Sequence, residues 1–319
     1  MKNSDRLTAV VFGAANVDIS ACTSLALAPG DSTPGHITTA AGGVGRNIAE
    51  NLVRLGHTSH LISAVGDDLQ GKFLLDHLRN AGVDAAACGV WPGARTGSYL
   101  SLNQPDGSLL AAVNDMAVLD LLGPSELAHH TTKIANAIDS ASAWVVDCNL
   151  SESAIEWIMQ NRKGKAVFVD GVSSYKCLKI LPYLAAVETL KINRLEASAL
   201  TNLPVHDAAQ AITAAQNLCA QGVKNVVVSL GSGGVCWHQR SSNSSGHVSA
   251  LAIDIINSNG AGDALTAGLV HAALHGWPLA QAARFANACA ALTMTSSSAN
   301  HPDLSAASAL RLLSATEKV

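Results

Sequence analysis

Aromatic residues make up only 4% of this 319-residue chain, and charged residues only 14%. Few rings are therefore available to stack on a base. No Lys/Arg run or basic stripe is present and the formal net charge is −4, which argues against a nucleic-acid partner. No stretch reaches the roughly 20 apolar residues of a membrane helix. The N-terminal residues MKNSDRLTAVVFG lack the apolar core and cleavage site of a secretion leader. The seven cysteines form no CxxC pair, and an odd number of thiols fits reduced core residues. The twelve histidines are read as scattered, with no metal-ligand set. A cytoplasmic, soluble enzyme is the expectation. No GxSxG elbow surrounds a serine, and no GxGxxG lies between a strand and a helix near the start, which disfavours a serine hydrolase and a dinucleotide-dependent oxidoreductase.

Small aliphatic residues are plentiful, and the hydrophobic fraction is 48%. This composition suits helices laid closely on a parallel sheet. Apolar runs closed by Gly, Asp or Ser predict strands at Leu7–Phe12, His60–Val65, Ala143–Asp147, Ala166–Asp170, Thr189–Ile192 and Asn225–Ser229. Helices are predicted at Ile48–Leu55, 70–80, 152–161, 194–200, 206–221, Gly260–Leu274 and Leu279–Thr295. Alternation of strand and helix implies a doubly wound, largely parallel α/β sheet in a single domain over 1–319. Pro105-Asp106-Gly107 between two alternating stretches predicts a hairpin. Together with parts of 19–40, residues 96–116 are expected to form a small β flap. Ser241–Gly246 is read as a polar loop.

The strongest chemical signal is Asn259-Gly260-Ala261-Gly262-Asp263 at the start of a small-residue helix. Two glycines let backbone approach a ligand, and helix-start amides attract an anion such as phosphate. Asp263 in the first turn could take a proton from an attacking hydroxyl. A second turn, Ser229-Leu230-Gly231-Ser232-Gly233-Gly234, follows a strand and could approach a nucleotide. A third, Gly42-Gly43-Val44-Gly45-Arg46-Asn47, lacks the lysine and hydroxyl of a P-loop but opens a helix with Asn47 as a polar reader. Asn16 and Asp18, at the end of the first strand, could join Asn47 in gripping vicinal hydroxyls. Asn193 and Glu196 have the spacing of a capping box, and Glu196 could also hold magnesium through water.

In this order, these motifs resemble the ribokinase-like (PfkB) carbohydrate and nucleoside kinase family across nearly the whole chain. The resemblance implies an ATP- and Mg2+-dependent kinase with Asp263 as general base and the amides of Gly260, Ala261 and Gly262 as anion hole. It places Asn193, Ser229, Gly231, Gly233 and Asn287 at ATP, and Asn16, Asp18, Gly42, Gly43 and Asn47 at the sugar. It makes the flap a lid that often also forms a homodimer contact. Asn114-Asp115-Met116, Asp147-Cys148-Asn149 and Val172-Ser173 with Lys176 resemble a nucleoside-phosphorylating branch of the family. That likeness implies contacts to nucleoside from Asn149 and Lys176, Asp115 on the lid, and phosphoryl transfer to a 5′-hydroxyl. Ribose, another sugar or sugar acid, another nucleoside, and a catalytically silent nucleoside-binding regulator are the alternatives. Asn257 and Asn259 stand where many members carry aspartate and threonine, which leaves activation by a monovalent cation open. Gly171 and Ile192 replace prolines common in the family, and neither change removes a catalytic group.

Overall fold

The computed structural model describes residues 6–27 and 30–316. Residues 1–5, part of the stretch read as lacking a leader, and positions 28 and 29 of the expected flap lie outside the described residues. The first half of the chain forms β1 (Thr8–Phe12), β2 (Asn16–Thr23), β3 (Gly35–Gly42), α1 (Val44–Arg54), β4 (Thr58–Ile62), β5 (Ala64–Gly66), α2 (Leu69–Asn80), β6 (Gly89–Trp91), β7 (Ser98–Asn103) and β8 (Leu109–Asp115). Then follow α3 (Pro124–Lys133), α4 (Ala135–Ser140), β9 (Ala143–Asp147), α5 (Glu152–Asn161), β10 (Ala166–Asp170), β11 (Thr189–Asn193), α6 (Arg194–Thr201) and α7 (Ala208–Ala220). The chain closes with β12 (Asn225–Ser229), β13 (Val235–Gln239), β14 (Ser244–Val248), α8 (Ala261–Leu274), α9 (Leu279–Met294) and α10 (Ala306–Thr316).

The main sheet has eight strands in the order β14-β13-β12-β11-β10-β9-β1-β4. Six of them, β4, β1 and β9 to β12, run parallel, and β13 and β14 add an antiparallel edge. Its central strands are nearly all apolar because both faces are covered. Alternation along each strand divides them between two cores. Val10, Phe12, Trp144 and Val146 pack on one side with α5 and α7. Ala9, Val11, Ala143 and Val145 pack on the other with α1, α8 and α9. Among the described residues no helix is long and apolar enough to cross a membrane.

A separate sheet of four strands, in the order β3-β2-β7-β8, projects from the main body. The two segments expected to form the flap supply these strands. The sheet reaches further than expected at both ends of its first hairpin, so Asn16 and Gly42 face each other across it. Its apolar side chains Ile37, Leu100, Leu109 and Val113 are exposed.

Three local expectations change. Helix α1 begins at Val44, four residues early, because the turn of Gly43 (φ 101°) redirects the chain before the apolar face starts. The predicted strand His60–Val65 divides at Ser63, beyond which β5 pairs with β6 in a two-stranded sheet. Ser63 is buried and its hydroxyl accepts from the Ala15 amide at 3.1 Å. Half of the predicted Ser241–Gly246 loop belongs to β14. An edge strand takes its order from main-chain pairing with β13, so a serine- and glycine-rich stretch suffices.

Candidate active site

In an open α/β sheet, ligands sit beyond the carboxyl ends of the strands where the strand order reverses. Here β1 is flanked by β4 on one side and β9 on the other, so the reversal lies at β1. Asn149, Lys176, Asn193, Glu196, Ser229, Gly231 and Gly233 end or follow β9 to β12, and the others singled out from the sequence lie on or at the start of β2, β3, β8, α1, α8 and α9.

The start of α8 approaches this crevice. Gly260 caps the helix with φ 77°, a left-handed conformation, and a Cβ there would collide with the carbonyl of Ala299. The chain can therefore turn into the helix only with glycine. First-turn amides of a helix have no carbonyl four residues back, so the N–H groups of Gly262 and Asp263 can face an anion, while that of Ala261 makes a long 3.4 Å bond to the Ser258 carbonyl. Gly260→Ala is expected to lower stability by about 2–4 kcal/mol, from left-handed strain plus the clash. A thermal melt with and without nucleotide measures it.

Asp263 lies in that first turn and is buried. Burial, followed by the negative charge of Asp170, pushes its carboxyl up to about 7. Asn47, from α1, donates to Asp263 Oδ2 at 2.6 Å across 216 residues of sequence. Asn47 is itself held from behind, since Arg46 donates to its Oδ1 and pairs with Glu50 at 2.6 Å. This brings the Asn47 and Asp263 motifs into contact. A carboxylate with so high a pKa, beside helix-start amides, can accept a proton near neutral pH while the amides hold a phosphoryl group.

Lys191, in β11, was not singled out from the sequence, because one lysine in a strand carries no motif. It is buried beneath the turn, and a Cβ on Gly262 would stand 2.8 Å from its ammonium. It pairs with Asp170 at 3.1 Å, whose other contact on the same oxygen is the Thr266 hydroxyl at 2.6 Å. Burial pulls the lysine down, but Asp170, Glu196 and Asp263 outweigh it and hold the ammonium above its ordinary value. A positive charge thus lies under the glycine turn that opens α8.

Among the residues expected at the sugar, Asn16 donates to Asp18 Oδ1 at 2.7 Å. Burial raises the Asp18 carboxyl, against the opposing pull of Asn16 and Arg46. Gly42 lies against that carboxylate, where any Cβ would overlap it. Gly43 packs on the backbone of Ala14 and Ala15. Asn149 and Lys176, 27 residues apart, meet directly: Lys176 Nζ donates to Asn149 Oδ1 at 2.6 Å. Asp115 ends β8 of the projecting sheet and is exposed.

Asn193, expected at ATP, and Glu196 form the predicted capping box at the start of α6. Asn193 accepts from the Leu195 and Glu196 amides, and Glu196 accepts from the Asn193 amide at 2.9 Å and its side chain at 2.5 Å. Burial raises the Glu196 carboxyl. Ser229 ends β12, and Gly231 and Gly233 form a short 3₁₀ turn between β12 and β13, both exposed. Asn287, on α9, donates to the Ser249 carbonyl at 2.9 Å and so ties the helix to the loop after β14.

A doubly wound sheet with a small appended sheet, and a glycine-rich helix start carrying a buried aspartate, define the class, and comparison agrees. Residues 6–306 match the family described as "pfkB family carbohydrate kinase", and the chain belongs to that family. It is a sugar or nucleoside kinase, a phosphotransferase with an alcohol group as acceptor. The chain is 38% identical to pseudouridine kinase of Escherichia coli (strain K12), over 97% of each protein. It is 37% identical to the uncharacterized sugar kinase YeiI of the same organism, over 95% of this chain and 83% of that one. The structure of Arabidopsis thaliana ribokinase complexed with ribose and ATP superposes with a TM-score of 0.80, at 24% identity, covering 97% of this chain and 99% of that one.

Proposed function

We propose that this kinase transfers the γ-phosphoryl group of ATP to the 5′-hydroxyl of pseudouridine. The observation that carries the chemistry is the 2.6 Å contact between Asn47 and the Asp263 carboxylate beside the α8 amides. The substrate assignment is supported by the identity to pseudouridine kinase and by the contact between Lys176 and Asn149. Asp263 takes the 5′-hydroxyl proton as the oxygen attacks the γ-phosphorus. The bond to the β,γ-bridging oxygen breaks, and ADP leaves. The amides of Gly260, Ala261 and Gly262, with Lys191 beneath them, stabilise charge on the transferred group. Asn16, Asp18, Asn47 and the close backbone of Gly42 and Gly43 hold the ribose hydroxyls, and Lys176 with Asn149 reads the base. Asn193, Ser229, Gly231, Gly233 and Asn287 flank ATP.

Both oxygens of Glu196 serve the α6 cap, yet a carboxylate has about four lone-pair sites, and magnesium commonly keeps its water shell. Glu196 therefore fits a water-mediated hold on Mg2+, which when bound neutralises charge on the ATP phosphates. The projecting sheet acts as a lid whose closure excludes water. Its exposed Ile37, Leu100, Leu109 and Val113 suit a homodimer contact between two lids.

ADP release with Mg-ATP is the test, run against pseudouridine, uridine, adenosine, inosine, ribose, fructose and 2-keto-3-deoxygluconate. A kcat/KM for pseudouridine at least about 100-fold above every competitor is expected, the discrimination that a site built around polar contacts can reach. Preference for a sugar would discard pseudouridine and retain the kinase. Lys176→Ala is expected to raise KM for pseudouridine about 10–100-fold with kcat little changed, because it removes ground-state binding rather than chemistry. Steady-state kinetics with saturating ATP separate the two constants.

A further inference from the structure

Helices α1 and α8 both point their N-termini at the crevice, so their C-termini meet at the opposite end of the molecule. His57 follows α1. His271 lies in the last turn of α8, and His275 caps it. The sequence His271-Ala272-Ala273-Leu274-His275 is a pair of histidines four apart, which puts both rings on one helix face. This spacing corrects the reading of the histidines as scattered.

We propose that His57, His271 and His275 form a three-histidine site for a divalent transition metal of the zinc class, separate from the phosphoryl-transfer crevice. One nitrogen from each ring lies within 4.8 Å of the other two. His57 Nε2 and His271 Nδ1 are 2.9 Å apart. Two nitrogens on one tetrahedral zinc, with bonds near 2.0–2.1 Å, stand about 3.3 Å apart, so this pair needs to open by only a few tenths of an ångström. His275 Nδ1 faces the His271 carbonyl at 2.8 Å. A carbonyl can only accept, so that nitrogen carries the proton and Nε2 keeps its lone pair. A backbone acceptor on the non-ligating nitrogen is the usual way a metal-binding histidine is oriented. His275 is exposed, so its ring has room to adjust to an ion.

The other two rings are held in place. His271 stacks on Phe285 with centroids 5.1 Å apart and meets Trp277 edge-on. His57 and His271 are only 4% and 5% exposed. Burial lowers the first to about 4 and the second to about 3, with further lowering from the neighbouring rings. The 2.9 Å contact between these rings is a hydrogen bond, so one facing nitrogen bears a proton, which moves to that ring's other nitrogen when an ion takes its place. Imidazole ligands favour Zn2+, Co2+, Ni2+ or Cu2+ over Mg2+, so the magnesium of the nucleotide does not compete. From Asp263 to His271 is eight residues of helix, about 12 Å at 1.5 Å per residue, so the ion does not reach the reacting groups. Its effect is to tie the end of α1 to the end of α8.

The test uses the full chain without a polyhistidine tag, stripped with a chelator and titrated with Co2+, whose visible absorption reports nitrogen coordination of low symmetry. One equivalent of Co2+ is expected to give these bands, and Zn2+ to displace them. Saturating Zn2+ should raise Tm by about 3 °C or more, because it binds the folded state alone. His275→Ala, at an exposed position that will not disturb folding, should weaken binding at least about 100-fold and abolish the Tm shift. His271→Gln should do the same if it folds, and the exposed variant stands alone if it does not. Absence of Co2+ bands in the wild type overturns the site, as does binding that His275→Ala leaves unchanged. Either result would leave three histidine rings packed on one another, with His271 against Trp277 and Phe285.

Discussion

Asp263→Asn is expected to reduce kcat by about 10²–10⁴-fold while leaving KM for both substrates within a few-fold, the signature of a lost general base. The amide keeps the size of the carboxyl and can still accept from Asn47, so the fold and the proposed ribose contacts should survive. What it cannot do is take the proton. The pH dependence gives a second readout. With the carboxyl pushed up to about 7, kcat/KM of the wild type should fall tenfold per unit below that pH and level off above it. The residual rate of the variant should lack this limb. Stability should move the other way. The folded carboxyl binds its proton more tightly than an unfolded aspartate does, so its contribution to stability is present at acid pH and is lost as pH rises from about 4 to 7. Removing the ionisable group should therefore raise Tm by about 3–6 °C at pH 8, and the gain should shrink towards pH 4. A variant that turns over at the wild-type rate, with the same pH limb, would refute the assignment of Asp263.

The residues that were legible in the sequence were those whose conformation depends on local backbone. Gly260 to Asp263 announce a helix start with close backbone approach, and Asn193 with Glu196 announces a cap; both are found as expected. Strands buried on both faces were legible for a similar reason. Ala143–Asp147, Ala166–Asp170 and Asn225–Ser229 are continuous apolar runs whose limits follow from composition. Neither the β14 edge nor the division at Ser63 was legible, since each depends on what pairs alongside. Partners distant in sequence were hidden as well. Asn47 was picked out as a reader of hydroxyls, but its hold on Asp263 requires α1 and α8 to lie side by side. Asn149 and Lys176 were named only through family likeness, as contacts to a nucleoside, and nothing in the sequence foretold that they touch each other. Lys191 was missed for the same reason: its meaning comes from Asp170 on the neighbouring strand and Gly262 above it.

Lys191→Met is expected to be the most damaging change outside Asp263, for two separable reasons. The first is structural. Removing the ammonium leaves Asp170, 2% exposed, as a buried charge whose main compensation is gone, and breaking such a pair costs about 3–5 kcal/mol. The second is chemical. The ammonium lies beneath Gly262, and in the proposed mechanism a phosphoryl group gathers negative charge there in the transition state; losing one such stabilising group lowers kcat by about 10²–10³-fold. The double variant Lys191→Met with Asp170→Asn distinguishes them. Asparagine at 170 retains a carbonyl for the Thr266 hydroxyl and brings no charge to be compensated. A neutral pair of this kind should recover most of the lost Tm, because replacing both members of a buried ion pair is often nearly neutral. It should not recover kcat, because no positive charge returns under the turn. If turnover rises with stability in the double variant, Lys191 serves only to hold β10 and β11 together. If Tm returns and kcat does not, the lysine acts on the phosphoryl group itself, and its charge belongs to the anion site as much as the amides of α8 do.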